Sequence, residues 1–302
     1  MDLLRELFAC TPPSAESLAE WWQATAAARA SASTTLDRAL IGGTCADRLG
    51  FAFAAGYGEA LRALVPDLDG ITALCITEAK GNHPRAIETT LVPTGAGYEL
   101  TGHKKWATVG SLASSLLVAA KLGDESGRPV LRMVRVAANA PGVRVVPMTT
   151  AFVPEIPHAE IELARVAVRH DDVLPGDGYT QYIKPFRTVE DLHVHAALLG
   201  YLIGVCRRHA LAHEHVEHLL ALAMSTRALA AVDRDAPSTH LALAGVLSLI
   251  APVVAAIERV WPAGEERERW QRDRVLLGVA GAARAARRDK AWSVLDGSSD
   301  AV

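Results

Sequence analysis

The chain of 302 residues is long enough for two or three domains, each with its own buried core. Half of it is hydrophobic and 22% is charged, and the formal net charge of −3 leaves no basic excess of the kind a nucleic-acid binder carries. Cys10, Cys45, Cys75 and Cys206 are scattered without a C-x-x-C pair, which argues against a zinc knuckle or a disulfide framework and fits free thiols in a reducing cytosol.

The N-terminus, MDLLRELFACTPPS, has an acidic second residue and no long apolar core, so it does not read as a signal peptide. Residues 1 to about 66 read as helical. Ser14 with Glu16 and Leu18 can open a helix after Pro12-Pro13, and that helix holds Trp21-Trp22 as core or interface anchors. A second helix is expected over Thr35–Leu64, weakened or closely packed at Gly42-Gly43 and ended by Pro66.

From Ile71 the texture changes to short strands. ITALCIT, ETTLVP, PVLRMVRVA, GVRVVPM and HAEIELARVAV are separated by polar or Gly/Pro turns. The last alternates Glu160 and Glu162 with Ile161 and Leu163, the period of a half-buried strand. With no helices between them, these strands argue an antiparallel barrel or sandwich. No G-x-G-x-x-G follows a strand, so a Rossmann site is not supported.

Tyr98–Lys121 is the most informative stretch. Trp106 and Thr108, two residues apart, share one side of an extended chain and offer an aromatic wall with one hydroxyl. The plainer account is a hairpin with a core Trp and a β-forming Thr.

After KPF the chain turns helical again. Thr188, with Asp191 three residues on, looks like an N-cap. Further helices are expected at Ala210–Val232, His240–Val260 and Glu265–Leu295, making an antiparallel bundle. Leu241–Ile257, interrupted by Pro252, reads as a buried helix too short to span a membrane. The fold class is therefore α+β multidomain: an N-terminal helical region (1–70), a middle β domain (71–182) and a C-terminal helical bundle (183–302). A cytoplasmic location without membrane or nucleic-acid partners is expected.

This order resembles the acyl-CoA dehydrogenase family. That family's middle domain carries Tyr-x-Leu-Asn-Gly-x-Lys-x-Trp-Ile-Thr-Asn, matched by Tyr98, Leu100, Gly102, Lys104, Trp106 and Thr108, with Thr101 replacing Asn. CITEAKG resembles its Thr-Glu segment at Thr77 and Glu78. APGVRV resembles the family's Pro-Gly-Val strand, and AEIELARVAVRHDDVLPGDG its closing strand and turn. The resemblance covers about Ile71–Phe186. It implies an FAD-dependent dehydrogenation of an acyl-CoA or related acyl thioester, and a homodimer or homotetramer. Trp106 and Thr108 would cover the isoalloxazine, with Thr77 and the backbone of Ile76 beside it. His83 stands where the family places a Ser on the FAD pyrophosphate.

For the catalytic base, the family uses a Glu in one of two places. No C-terminal Tyr-Glu-Gly segment is present, and VEDLHVHAALLG puts Glu190 at the other place, on the first helix of the bundle. The competing account of Glu190 and Asp191 is a first helical turn complementing the helix dipole. His193 and His195 flank Glu190 on different faces, one toward the site and the other on the surface. The family's Arg-x-x-Phe-Gly and Gln-x-x-Gly-Gly-x-Gly segments, which hold the adenine half of FAD, are absent from the C-terminal half. That absence keeps open a non-catalytic homologue used for ligand binding or assembly.

Two other patterns remain. His209, His213 and Glu217 recur at i, i+4, i+8, a spacing open to zinc, though a solvated helix face explains it with less; no metal is expected. The arginine-rich C-terminus reads as a solvated, salt-bridged helix face with Leu276, Leu277, Val279 and Trp292 inward. A lesser alternative assigns some of those arginines to CoA or FAD phosphates.

Overall fold

A computed structural model describes residues 3–297. The described residues up to Ala63, with those from Thr188 onward, form one compact unit, and Leu64–Arg187 form a second. The terminal helical stretches, separate in sequence, thus share one core.

In the helical unit, α1 (Leu3–Ala9), α2 (Leu18–Ala24), α3 (Ala26–Ala30), α4 (Thr35–Thr44) and α5 (Leu49–Leu64) precede the sheet. Ser17, not Ser14, caps α2, in a capping box with Glu20. The expected long helix over Thr35–Leu64 is two helices, interrupted between Thr44 and Leu49. Trp21 is fully buried, stacks on Phe51 at 5.3 Å and donates its indole N–H to the Cys45 carbonyl, so it is an internal anchor. Cys10 and Cys45 are joined as a disulfide with Cα atoms 5.4 Å apart, which corrects the expectation of four free thiols. The sequence shows no spacing signal because α1 meets the end of α4 only after folding.

After the sheet come α6 (Lys184–Arg208), α7 (His213–Ala230), α8 (Pro237–Val260), α9 (Glu265–Asp273) and α10 (Gly281–Leu295). Helix α6 crosses α4 at backbone contact. A Cβ on Gly43 would lie 1.8 Å from the Ala197 carbonyl oxygen, and one on Gly200 2.0 Å from that of Leu40. No side chain fits there.

The helix leading into this unit starts earlier than Thr188. Asp177 accepts from the amides of Tyr179 and Thr180, and one π-helical turn (Tyr179–Ile183) runs into α6 without a break. Thr188 is buried in mid-helix rather than capping it. The C-terminal segment is also divided, and Val279 and Trp292, expected inward, are 66% and 51% exposed. Helix α8 differs from expectation twice. By length and composition it could reach across a membrane, as could the mostly buried Tyr179–Arg208, and only 22% of its most apolar window is buried.

The second unit is a seven-stranded sheet curled into a half-barrel: β1 (Thr72–Cys75), β2 (Thr90–Thr94), β3 (Gly97–Ala107), β4 (Ser115–Glu125), β5 (Arg128–Ala137), β6 (Val143–Met148) and β7 (His158–Val168). The order is β1-β4-β2-β3-β7-β6, with β5 on β4. The pairings are antiparallel as expected, except that β1 and a single step of β2 run parallel to β4. On β7, Ala159, Ile161 and Leu163 point inward until Arg165, at φ 55°, inserts a bulge and resets the phase to Val166 and Val168.

Candidate functional site

The stretch around Trp106 is a bulge, not a continuing strand. Lys104 pairs with Ile161 and Ala107 with Ala159, so two residues of β3 face Glu160 alone. Trp106 takes φ 59° and Val109 φ 55°, left-handed conformations that β-branched and bulky residues avoid. Strand alternation therefore does not decide where these side chains point. The bulge turns the indole out, leaving it 54% exposed, and Thr108 lies in the turn beyond. Strain of this kind collects where a side chain must be aimed.

Thr77 sits beside the bulge, because the Lys105 amide donates to its carbonyl at 2.8 Å. Two residues drawn from separate segments of the chain are thus stitched side by side. Ile76, Thr77 and Thr108 are all partly exposed, and among the described residues no hydrogen bond engages the Thr77 or Thr108 hydroxyl.

A buried ion pair underlies this wall. Lys104 is 0% exposed; its ammonium meets the Glu78 carboxylate at 2.6 Å and reaches the Ile76 carbonyl at 3.4 Å. Glu78 also accepts from the Glu88 amide, the Thr89 amide and the Thr89 hydroxyl. Burial pushes the Glu78 carboxyl up. The bond and charge of Lys104, with those backbone and hydroxyl donors, outweigh it and hold the group below the usual carboxylate range. Gly102 makes the arrangement possible, since a Cβ there would lie 2.7 Å from the Thr89 Cα.

His83 follows Thr77 by six residues, roughly 20 Å at full extension. It is exposed, and its Nδ1 accepts from the Arg85 amide. It lines a cavity of about 700 Å³ together with Arg85, Arg128, Arg132 and Tyr179. Among the described residues no carboxylate pairs with any of the three arginines; Glu125 and Asp177 also line the cavity, and Asp177 is occupied in capping the next helix. Such a cavity suits phosphate.

In the helical unit, Glu190 lies seven residues into α6, past the first turn where a helix dipole acts, so the dipole account of it does not hold. Part of its surface stays open, yet burial first, and then the charge of Asp191, raise its carboxyl to about 7, with Arg284 and Arg287 pulling the other way. Among the described residues nothing hydrogen-bonds the Glu190 carboxylate. Asp191 is buried and bridges to Arg284 at 2.8 Å and to Arg287, so these C-terminal arginines are not a solvated face.

His193 and His195 are both buried, which corrects the expectation that one lies on the surface. The His193 Nδ1–H donates to the Val189 carbonyl, so Nε2 accepts from the Thr35 hydroxyl; burial pushes the ring down to about 4, and it is neutral. The zinc spacing does not survive folding. Helix α6 ends at Arg208 and α7 begins at His213, His209 bonds to Glu266, and no group able to hold a metal exists among the described residues.

Sequence reasoning named Ile76, Thr77, His83, Trp106, Thr108 and Glu190 but gave no role to Glu78, Lys104, Arg85, Arg128 or Arg132. The first two sit inside matched segments and so had a signal. The arginines converge only through the sheet hairpin and had none.

These residues fit a flavin dinucleotide: an exposed indole, unengaged hydroxyls and a cationic cavity. Residues 73–166 match the family model described as acyl-CoA dehydrogenase, middle domain. No curated protein sequence matches the chain. Among solved structures, butyryl-CoA dehydrogenase from Megasphaera elsdenii is similar at 14% identity, over 86% of this chain and 82% of that one, with TM-score 0.68. A probable acyl-CoA dehydrogenase from Mycobacterium abscessus follows at 17%, 95%, 93% and 0.63. The prolyl acyl carrier protein oxidase AnaB gives 18%, 91%, 90% and 0.65. At such identities the structures attest the shared fold, and the family model attests the sequence of its middle domain. Residues 73–166 thus carry the sequence pattern of the acyl-CoA dehydrogenase middle domain, and the chain shares the fold of these structures.

Proposed function

We propose that the protein is an FAD-dependent oxidoreductase that dehydrogenates an acyl-CoA or related acyl thioester, working as a homodimer or homotetramer. The observation that carries this reading is the Trp106 bulge: an exposed indole on a left-handed backbone, tied to Thr77 and braced by Lys104–Glu78.

FAD, when bound, supplies the hydride acceptor. Trp106 would cover one face of the ring, and the Thr77 and Thr108 hydroxyls would donate to its polar edge. His83, Arg85, Arg128 and Arg132 would take its phosphates. Glu190 would remove the proton beside the thioester carbonyl. Its carboxyl, raised to about 7 and free of hydrogen bonds, suits a general base near neutral pH.

Anaerobic addition of a short-chain acyl-CoA to FAD-loaded protein tests this. Flavin bleaching is expected, and its loss in Glu190→Gln with flavin still bound. Bleaching that persists in that variant would remove Glu190 from the mechanism. A second reading, a non-catalytic homologue that keeps the fold for binding or assembly, is favoured by the absent adenine-half segments. Flavin that binds but is never bleached by any acyl thioester would support it.

A further inference from the structure

The helical unit contains a second cavity, of about 830 Å³, that includes neither Glu190 nor any residue of the sheet. Its walls are the start of α4 (Thr34, Leu36), one face of α6 (Val189, Leu192) and the end of α7 with the residues after it (Met224, Val232). Val232 is 55% exposed and Met224 38%, so large apolar side chains stand open at a concave site. Volume and lining fall in the range of small-molecule pockets.

The polar residues on its wall are Thr34, Thr35, His193, Arg227, Asp233 and Arg234. His193 adds no free polar group, because both its nitrogens are taken and burial keeps the ring neutral. Arg227 is committed to Asp37 through two bonds of 2.6 and 2.9 Å. Arg234 has no carboxylate partner among the described residues. The Thr34 oxygen accepts from the Asp37 amide, which leaves its O–H free to donate. The amides of Thr35 and Leu36, in the first turn of the ten-residue α4, have no acceptor within the helix. One guanidinium, one hydroxyl and two amides make a donor set for a single carboxylate. Asp233, also on the rim, repels an anion, but its carboxylate accepts from the Asp235 amide.

The geometry points to a binding site for an amphipathic monoanion, with its carboxylate between Arg234 and the start of α4 and its apolar body against Leu192, Val189 and Met224. A medium-chain fatty acid has this form. The site is independent of the flavin reading, since it uses none of the same residues.

The test compares sodium octanoate, octanol and octylamine by ligand-observed NMR and calorimetry on the full chain. Octanoate is expected to bind tightest. Arg234→Ala is expected to weaken octanoate by about tenfold or more, the loss of a charge-assisted bidentate contact, and to leave octanol unchanged. Ala228→Trp, at an exposed lining position, is expected to fill the cavity and abolish binding of all three, with the thermal melt unchanged. Equal binding of the three probes, no binding of octanoate at millimolar concentration, or octanoate binding indifferent to both substitutions would each overturn the proposal.

Discussion

Glu78 and Glu190 are two glutamates of the same ordinary chemistry held in opposite ways. Glu78 is surrounded by four donors, one of them a buried ammonium, and stays ionised. Glu190 has surrounding protein but no donor, stands next to another carboxylate, and rises to about 7. Burial alone does not set a carboxylate's role; the donors supplied with it do. The first arrangement fixes a backbone, whereas the second leaves a group able to change protonation near neutral pH.

The largest effect should come from breaking the satisfied pair. Lys104→Met leaves Glu78 buried without its cation and is expected to cost about 3–5 kcal/mol in denaturant unfolding. Adding Glu78→Gln should recover part of that loss, because no lone charge then remains. No loss of stability in Lys104→Met, together with an unchanged Lys105 amide exchange rate, would mean that the pair does not brace the wall.

Glu190→Gln is expected to abolish turnover, by about 10²–10⁴-fold for loss of a general base, while affecting stability only through pH. An acid whose native value, about 7, lies above its ordinary 4.5 binds its proton more tightly when folded. The wild type should therefore lose stability as pH rises from about 4.5 to about 7, and Glu190→Gln should flatten that decline in pH-dependent melts. Asp191→Asn should lower the Glu190 value, since it removes the raising charge and frees two arginines, and should move the activity profile to lower pH.

The smallest effect concerns His193, whose native value of about 4 lies below its ordinary 6.5. Folding is then opposed by protonation, so stability should fall as pH drops from about 6.5 to about 4. His193→Gln should remove that slope from the acid limb.

The two regions were not equally legible. The order of helices, strands and helices and the Trp106 segment could be read directly, because period-2 alternation and an ordered run of matched residues survive in one dimension. The bulge could not, since a left-handed tryptophan depends on pairing with β7. Thr188 looked like a cap because the stronger one, Asp177, is followed by a π turn with no helical periodicity. The outward faces of α8 and α10 went unseen because an apolar pattern does not say whether anything covers it. The arginine cavity and the Cys10–Cys45 bridge join segments that meet only after folding.

The central claim is that the wall built on Trp106 holds a flavin. Its most direct test is the visible absorption spectrum of the purified protein after incubation with FAD and gel filtration. A flavin band that stays with the protein and is lost in Trp106→Ala is the predicted result. Protein that emerges colourless, or a band indifferent to Trp106→Ala, would contradict it.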